Sequence, residues 1–440
     1  MTDHAAHWAL DPDLDHLNHG SFGATPRVVL EEQRRLQDAL EASPVAFMYR
    51  ELEPKLDEAR ARLAALVGAD PAGLVFVSNA TTGVNTALAV LTGQVPAWGG
   101  APDTIPEAQV GPGDEVLILD PEYNATANAV RFHCGRVGAT VRVLKVPFPI
   151  ADASEVTERV LSAVTDATRL FVVDHIVSQT GLVLPLEDLI GPLRERGIET
   201  LVDGAHGPGQ VALSLDELGA ALYTGNCHKW LCTPKGSALL HVREDWRTRT
   251  RPLVISHGAN ATRSDRSPLH MEFDWPGTDD PTPFLVLPTA LDVLEGLIEP
   301  VGEQPAGATA TGPFHNAHQA PGVSALQRRN HELCLAGRDL LRDALGIDAP
   351  APDAMLGSLA ALPLPPYPAQ HATANTPAAR GPLDLDPLAV WLHDERRIEV
   401  PVFPLPSDPS QAILRISAQA YNHLEQYERL AAALTDWYAG

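Results

Sequence analysis

Between about residues 54 and 245, short apolar runs alternate with amphipathic stretches. The runs at 74–78, 115–120, 141–146, 170–174, 200–203, 221–224 and 238–242 are rich in Val, Leu and Ile. Most are continuous rather than alternating, the pattern of strands buried on both faces. Stretches with helical spacing lie between them at 82–91, 125–135, 154–164 and 186–196. Strand and helix in this alternation predict an α/β fold with a mainly parallel seven-stranded sheet flanked by helices.

Two amphipathic helices are expected ahead of this block, at 27–40 and 53–66. Behind it, 300–323 and 349–382 are rich in Pro, Ala and Gly without hydrophobic period and read as loops. A strong helix at 324–345, helices at 388–397 and 424–437, and a strand at 412–417 predict a smaller α+β C-terminal domain. The expected organisation is an N-terminal segment (1–30) near the active site, a large α/β domain (31–310) and a small domain (311–440).

The chain has 440 residues and a formal net charge of -24, from 32 basic and 56 acidic side chains. Nucleic-acid and anionic-membrane surfaces need clustered Lys and Arg, so this balance argues against both. No run approaches the roughly 18 apolar residues of a membrane span, and the N-terminus lacks the pattern of a secretory signal. Four cysteines (Cys134, Cys227, Cys232, Cys334) are too sparse for a disulfide framework. A cytoplasmic protein is the expectation.

Ligands of such sheets collect at the carboxyl ends of strands, and four polar clusters fall there. Ser78-Asn79-Ala80-Thr81-Thr82-Gly83 opens a helix, where backbone N–H groups and hydroxyls suit a phosphate, or simply cap the helix. Asp120-Pro121-Glu122-Tyr123-Asn124 offers a ring for stacking on a flat ligand, or an ordinary turn. Asp203-Gly204-Ala205-His206-Gly207 ends a buried strand on a carboxylate that needs a partner. A protonated ring nitrogen would serve; a metal lacks a convincing third ligand beside Asp203 and His206. Thr224-Gly225-Asn226-Cys227-His228-Lys229-Trp230 places a lysine at the end of another buried strand. A lone lysine usually sits in solvent, so the meaning lies in the conjunction.

In this order the clusters resemble the class V aminotransferases of pyridoxal-phosphate (PLP) fold type I, and most of all the isopenicillin N epimerase-like branch; cysteine desulfurases are more distant. Leu17-Asn18-His19-Gly20-Ser21-Phe22-Gly23, Gly277-Thr278-Asp279-Asp280-Pro281 and Leu414-Arg415-Ile416-Ser417 carry the same resemblance. It implies that Lys229 binds pyridoxal 5′-phosphate as a Schiff base and moves protons on the amino-acid substrate. Asp203 would pair with the ring nitrogen and Tyr123 stack on the ring, where relatives often place a histidine. His206 and Ser178 would lie near the phenolic oxygen. Thr81, Asn226 and His228, with Thr82 as a weaker candidate, would hold the phosphate. Thr278 would reach the phosphate of a partner subunit, implying a homodimer with shared active sites. Arg415 would fork onto the substrate carboxylate, with Asn18 and His19 closing over the site.

The reaction stays open among epimerisation, carbon–sulfur lysis of the hercynylcysteine sulfoxide lyase kind, and transamination. An epimerase needs a second base, for which His19 and Tyr123 are conceivable. A desulfurase needs a mobile cysteine, and the matching segment at 400–406 has none. A nicotinamide or flavin enzyme would carry G-x-G-x-x-G after the first strand, which this chain lacks. A silent binding protein of the same fold would have little use for Lys229, Asp203 and Arg415 together.

Overall fold

A computed structural model describes residues 4–95, 109–298, 321–368 and 384–439. The expected domain boundary at 310/311, the histidines at 315 and 318 and the loop around Trp98 lie outside them. Twelve strands are present among the described residues: β1 (Asp15–His16), β2 (Leu74–Val77), β3 (Glu115–Leu119), β4 (Thr140–Leu144), β5 (Thr168–Asp174), β6 (Glu199–Asp203), β7 (Leu222–Asn226), β8 (Ala238–Val242), β9 (Leu359–Pro363), β10 (Ile398–Glu399), β11 (Val402–Leu405) and β12 (Asp408–Ser417).

The seven predicted strands form one sheet in the order β2-β8-β7-β6-β5-β3-β4. Only β8 runs antiparallel to its neighbours. Successive residues of each strand enter opposite layers: in β5, Phe171 and Val173 join one core, while Leu170 and Val172 join the other. Helices Ala80–Leu91 and Asn124–Val137 cover the second layer through Val84, Leu88, Ala127 and Val130. The edge strand β4 departs from the expectation of two buried faces, since Val143 is 44% exposed.

The C-terminal unit is a three-stranded antiparallel sheet, β11-β12-β9, with helices Pro321–Leu345 and Leu424–Ala439. Strand β9 lies inside the stretch expected to be a loop. Its Leu359 and Leu362 are fully buried against β12, so local burial overrides the Pro/Ala-rich composition around it. The N-terminal segment is tied to this unit by the short parallel pair β1–β10 and by the Ser417 N–H donating to the Leu17 carbonyl at 2.9 Å. It then crosses to the lysine turn. Gly23 has φ +69° and lies so close that a Cβ would stand 2.2 Å from the His228 carbonyl oxygen, which only glycine allows. No helix among the described residues is long and apolar enough to cross a membrane.

Candidate active site

The carboxyl ends of β2, β3, β5, β6 and β7 surround one pocket. Thr81, Tyr123, Ser178, Asp203, His206, Asn226, His228 and Lys229 all line it. Lys229 sits in the turn joining β7 to β8 and is buried, with Nζ 3.0 Å from His206 Nε2. Burial, then the positive charge of Arg415, pull its amine down to about 8, against the opposing pull of Asp203 and Asp174. The turn is held by the Cys232 N–H bonding the Lys229 carbonyl at 3.1 Å, with Cys232 in the left-handed region at φ 56°. That conformation is unfavourable by about 1–2 kcal/mol for a non-glycine residue, a sign that the surroundings dictate it.

Asp203 forms the floor. Its carboxylate accepts from Thr126 Oγ1 at 2.6 Å and from the Ala205 N–H at 3.1 Å. Asp174 ends the neighbouring strand, and Glu122 precedes Tyr123; an oxygen from each of the three acids lies within 4.8 Å of the others. They are the one such cluster among the described residues that could hold a cation. Both Glu122 oxygens and Asp174 Oδ2 lack a hydrogen-bond donor. Burial first, then Asp203, push Asp174 up to about 8; burial, then Asp174 and Asp203, push Glu122 well above the carboxylate range. Burial raises Asp203 as well, but the Thr126 and Ala205 hydrogen bonds and the charge of Lys229 oppose that rise, so of the three acids it is the one best provided to carry a negative charge.

Above the floor, His206 lies between Lys229 and Trp230, whose indole Nε1–H donates to Nδ1 at 3.2 Å. The ring of Tyr123 stands at the mouth, 42% exposed. At the end expected to take a phosphate, Asn226 Oδ1 accepts the Ala80 N–H at 2.8 Å and so braces the start of the 12-residue helix. His228 bonds the Ser237 carbonyl through Nδ1 at 2.9 Å. Thr81 completes this end.

Arg415, on β12, is fully buried. One of its nitrogens bonds the Ser178 carbonyl; another donates to Ser21 Oγ at 3.0 Å and Asn18 Oδ1 at 3.2 Å. Its Nε has no partner, and no carboxylate appears among its described bonds. Burial lowers its guanidinium to about 10. A buried cation with only neutral partners is a receptor for an anion that comes from outside.

Three expected residues lie elsewhere. His19 is behind the lysine turn, not in the pocket, with Nε2 3.0 Å from the Lys229 carbonyl and Nδ1 2.9 Å from Tyr421 Oη. Burial lowers it to about 3. Both nitrogens are occupied, so it is not placed to touch substrate or act as a second base. Thr82 bonds Asn79 and Ser78 within the helix cap, and with Thr278 lines a separate, more apolar groove. Sequence reasoning missed Glu122, Thr126, Asp174 and Trp230. For Asp174 a signal existed, since it too is an acid ending a continuous apolar run.

The residues present fit pyridoxal phosphate: a lysine with a depressed amine, a buried aspartate with an open side toward the pocket, and a helix start with hydroxyl and imidazole. The sheet order and this lysine together define a PLP fold type I enzyme. The model of the Aminotransferase class-V family matches residues 23–270. A putative L-cysteine desulfhydrase 1 of Oryza sativa subsp. japonica is 31% identical, over 95% of this chain and 82% of its own. An isopenicillin N epimerase of Amycolatopsis lactamdurans is also 31% identical, over 97% and 96%. A C-DES mutant with glycine covalently linked to its PLP cofactor shares the fold, with TM-score 0.70, 20% identity and 97% of both chains covered. The chain belongs to the class V aminotransferase family and is a PLP-dependent enzyme.

Proposed function

We propose that this enzyme eliminates a sulfur group from the β-carbon of a cysteine-type amino acid, with Lys229 as the base. The observation that carries the reading is the protonation chemistry around the pocket. Among its described lining residues, Lys229 is the one amine positioned to take and return a proton, and His19 is committed to the scaffold behind it. Elimination needs one base; epimerisation needs proton exchange on both faces. The relative named an L-cysteine desulfhydrase supports the choice.

When bound, the cofactor supplies a protonated ring that accepts the electron pair left at Cα. Asp203 keeps the ring nitrogen protonated. Arg415 holds the α-carboxylate and thereby aims the Cα–H bond at Lys229. Lys229 takes that proton, the Cβ–S bond breaks, and the sulfur leaves with its electron pair. Thr81, Asn226 and His228 would hold the phosphate, while Tyr123 would cover the ring.

No cysteine of this chain takes part. Burial pushes Cys134 up to about 11 and Cys227, Cys232 and Cys334 up to about 12, far from the reactive thiolate form. The 400–406 segment runs into the tight β11–β12 hairpin. Free buried thiols also fit a reducing, cytoplasmic setting. The apolar groove beside Thr278, with exposed Leu253 and Val254 at its rim, fits a homodimer in which Thr278 reaches the partner's phosphate site.

A second reading, epimerisation, rests on Tyr123, a protonable group at the pocket mouth, and on the 31% identity to an isopenicillin N epimerase. The test is a substrate screen in deuterated water with purified protein. Pyruvate, ammonia and sulfide or thiol establish elimination; deuterium at Cα with inversion and no keto acid establishes epimerisation. Borohydride reduction followed by peptide mass spectrometry checks the lysine: a stable cofactor adduct on the peptide bearing Lys229 is expected, and an adduct on a different lysine overturns its role.

A further inference from the structure

We propose that Trp230 acts on Lys229 through His206: the indole N–H fixes the imidazole in the form that donates to the lysine, and so favours the free amine over the ammonium before any cofactor arrives. The proposal takes from the functional reading only that Lys229 is the nucleophile.

An indole N–H can only donate. Its 3.2 Å contact with His206 Nδ1 therefore requires a lone pair on that nitrogen. A neutral imidazole with a bare Nδ1 carries its hydrogen on Nε2. Burial first, then the charges of Lys229 and Arg415, hold His206 well below its usual range, so the ring is neutral. The Nε2–H then points at Lys229 Nζ, 3.0 Å away. An ammonium group has three hydrogens and no lone pair, so it cannot accept this bond; only the free amine can.

The geometry is held from several sides. Trp230 is 1% exposed, and its ring packs against His19 at 4.9 Å between centroids. Gln210 Nε2 donates to the His206 carbonyl at 3.1 Å. The charged and titratable groups facing Lys229 are Asp203 and Asp174 from β6 and β5, Arg415 from β12, His206 and the adjacent His228; His19 meets only its backbone carbonyl. The two acids favour the ammonium and Arg415 opposes it. The fixed imidazole adds a donor that only the free amine satisfies.

The test uses cofactor-free protein. Trace labelling with acetic anhydride across a pH series, read at Lys229 by peptide mass spectrometry, gives the midpoint of that one amine. For the native chain a midpoint near 8 is expected; one at the ordinary lysine value of about 10.4 overturns the proposal. In Trp230→Phe the imidazole is free to turn its lone pair toward the lysine. The midpoint should then rise by about one unit, roughly a tenfold loss of Lys229 labelling at neutral pH. If that variant does not fold, a benzothiophene analogue placed at position 230 keeps the shape and removes only the N–H, and must give the same rise. An unchanged midpoint in either folded protein sinks the idea. In a His206→Gln background the amide donates without the indole, so Trp230→Phe should add no shift. A further rise there would reveal a packing effect and overturn the proposal as well. Because no cofactor or substrate is present, the outcome is independent of whether the enzyme is a lyase or an epimerase.

Discussion

Asp174 and Asp203 end neighbouring parallel strands in direct register across β5 and β6. Both carboxyl groups leave the sheet at the same level, each only 3% exposed at the base of the pocket, with Glu122 beside them. Two ionised carboxylates about 4 Å apart repel by roughly 4 kcal/mol even at an effective dielectric of 20. The folded protein avoids that repulsion by keeping protons.

The consequence is a pH dependence of stability. Asp174 has a folded-state value of about 8, above its ordinary 3.8. The native state thus binds more protons than the unfolded chain between those values, and this contribution is lost as pH rises toward 8. Asp174→Asn should remove that loss. Urea unfolding of cofactor-free protein at pH 5.5 and 8.5 should fall by about 1–3 kcal/mol more in the native chain than in the variant. Equal slopes would mean Asp174 is not protonated.

Arg415→Lys keeps a charge but loses the planar fork. With Ser21, Asn18 and Ser178 still demanding donors, one ammonium cannot also grip a carboxylate at two points. KM for the amino acid should rise about 10–100-fold, equivalent to ~1.4–2.7 kcal/mol. Cofactor absorbance should not change. Unchanged KM would show that Arg415 does not face the substrate.

Tyr421 serves a different end. Its hydroxyl satisfies His19 Nδ1, and His19 in turn bonds the Lys229 carbonyl. Tyr421→Phe leaves a buried ring nitrogen without its partner, an expected cost of about 1–3 kcal/mol. Thermal unfolding should show a lower midpoint and the cofactor should be lost more readily on dialysis, whereas KM should move little.

The four thiols offer a direct check on the chemistry. All are buried and free, so a disulfide reagent should react with none of them quickly in the native protein and with all four in guanidinium. During turnover with cysteine, intact-mass spectrometry should find no added sulfur on the chain. An increment of one sulfur atom would point to a desulfurase instead.

The central sheet was legible in the sequence because its strands are short and apolar and, β4 apart, largely buried on both faces. The one reversed strand, β8, has the same composition as its parallel neighbours, so its direction was not. Strand β9 hid inside Pro/Ala-rich sequence because its burial comes from β12, distant along the chain. At the site, polar residues directly after apolar runs, among them Asp203, Tyr123, Asn226 and Lys229, stood out as candidates, and only their conjunction gave them a meaning. What a side chain does for another was not. Trp230 looks like core until its N–H is seen on His206. His19 looks available until both its nitrogens are found occupied. Asp174 follows the same rule as Asp203 and was within reach of the same reasoning.

The reversal at β8 bears on how rigidly the pocket is built. Thr81, Tyr123 and Asp203 stand on chain that leaves the sheet and returns only after a helix or long connection. The lysine turn instead departs from β7 and re-enters the same sheet at once through β8, so both its ends are clamped to adjacent strands. Hydrogen exchange should register this asymmetry: amides of the lysine turn should open only with the whole sheet, while those around Phe22, itself 74% exposed, should exchange early. The reactive nitrogen thus stands on chain held at both ends by adjacent strands.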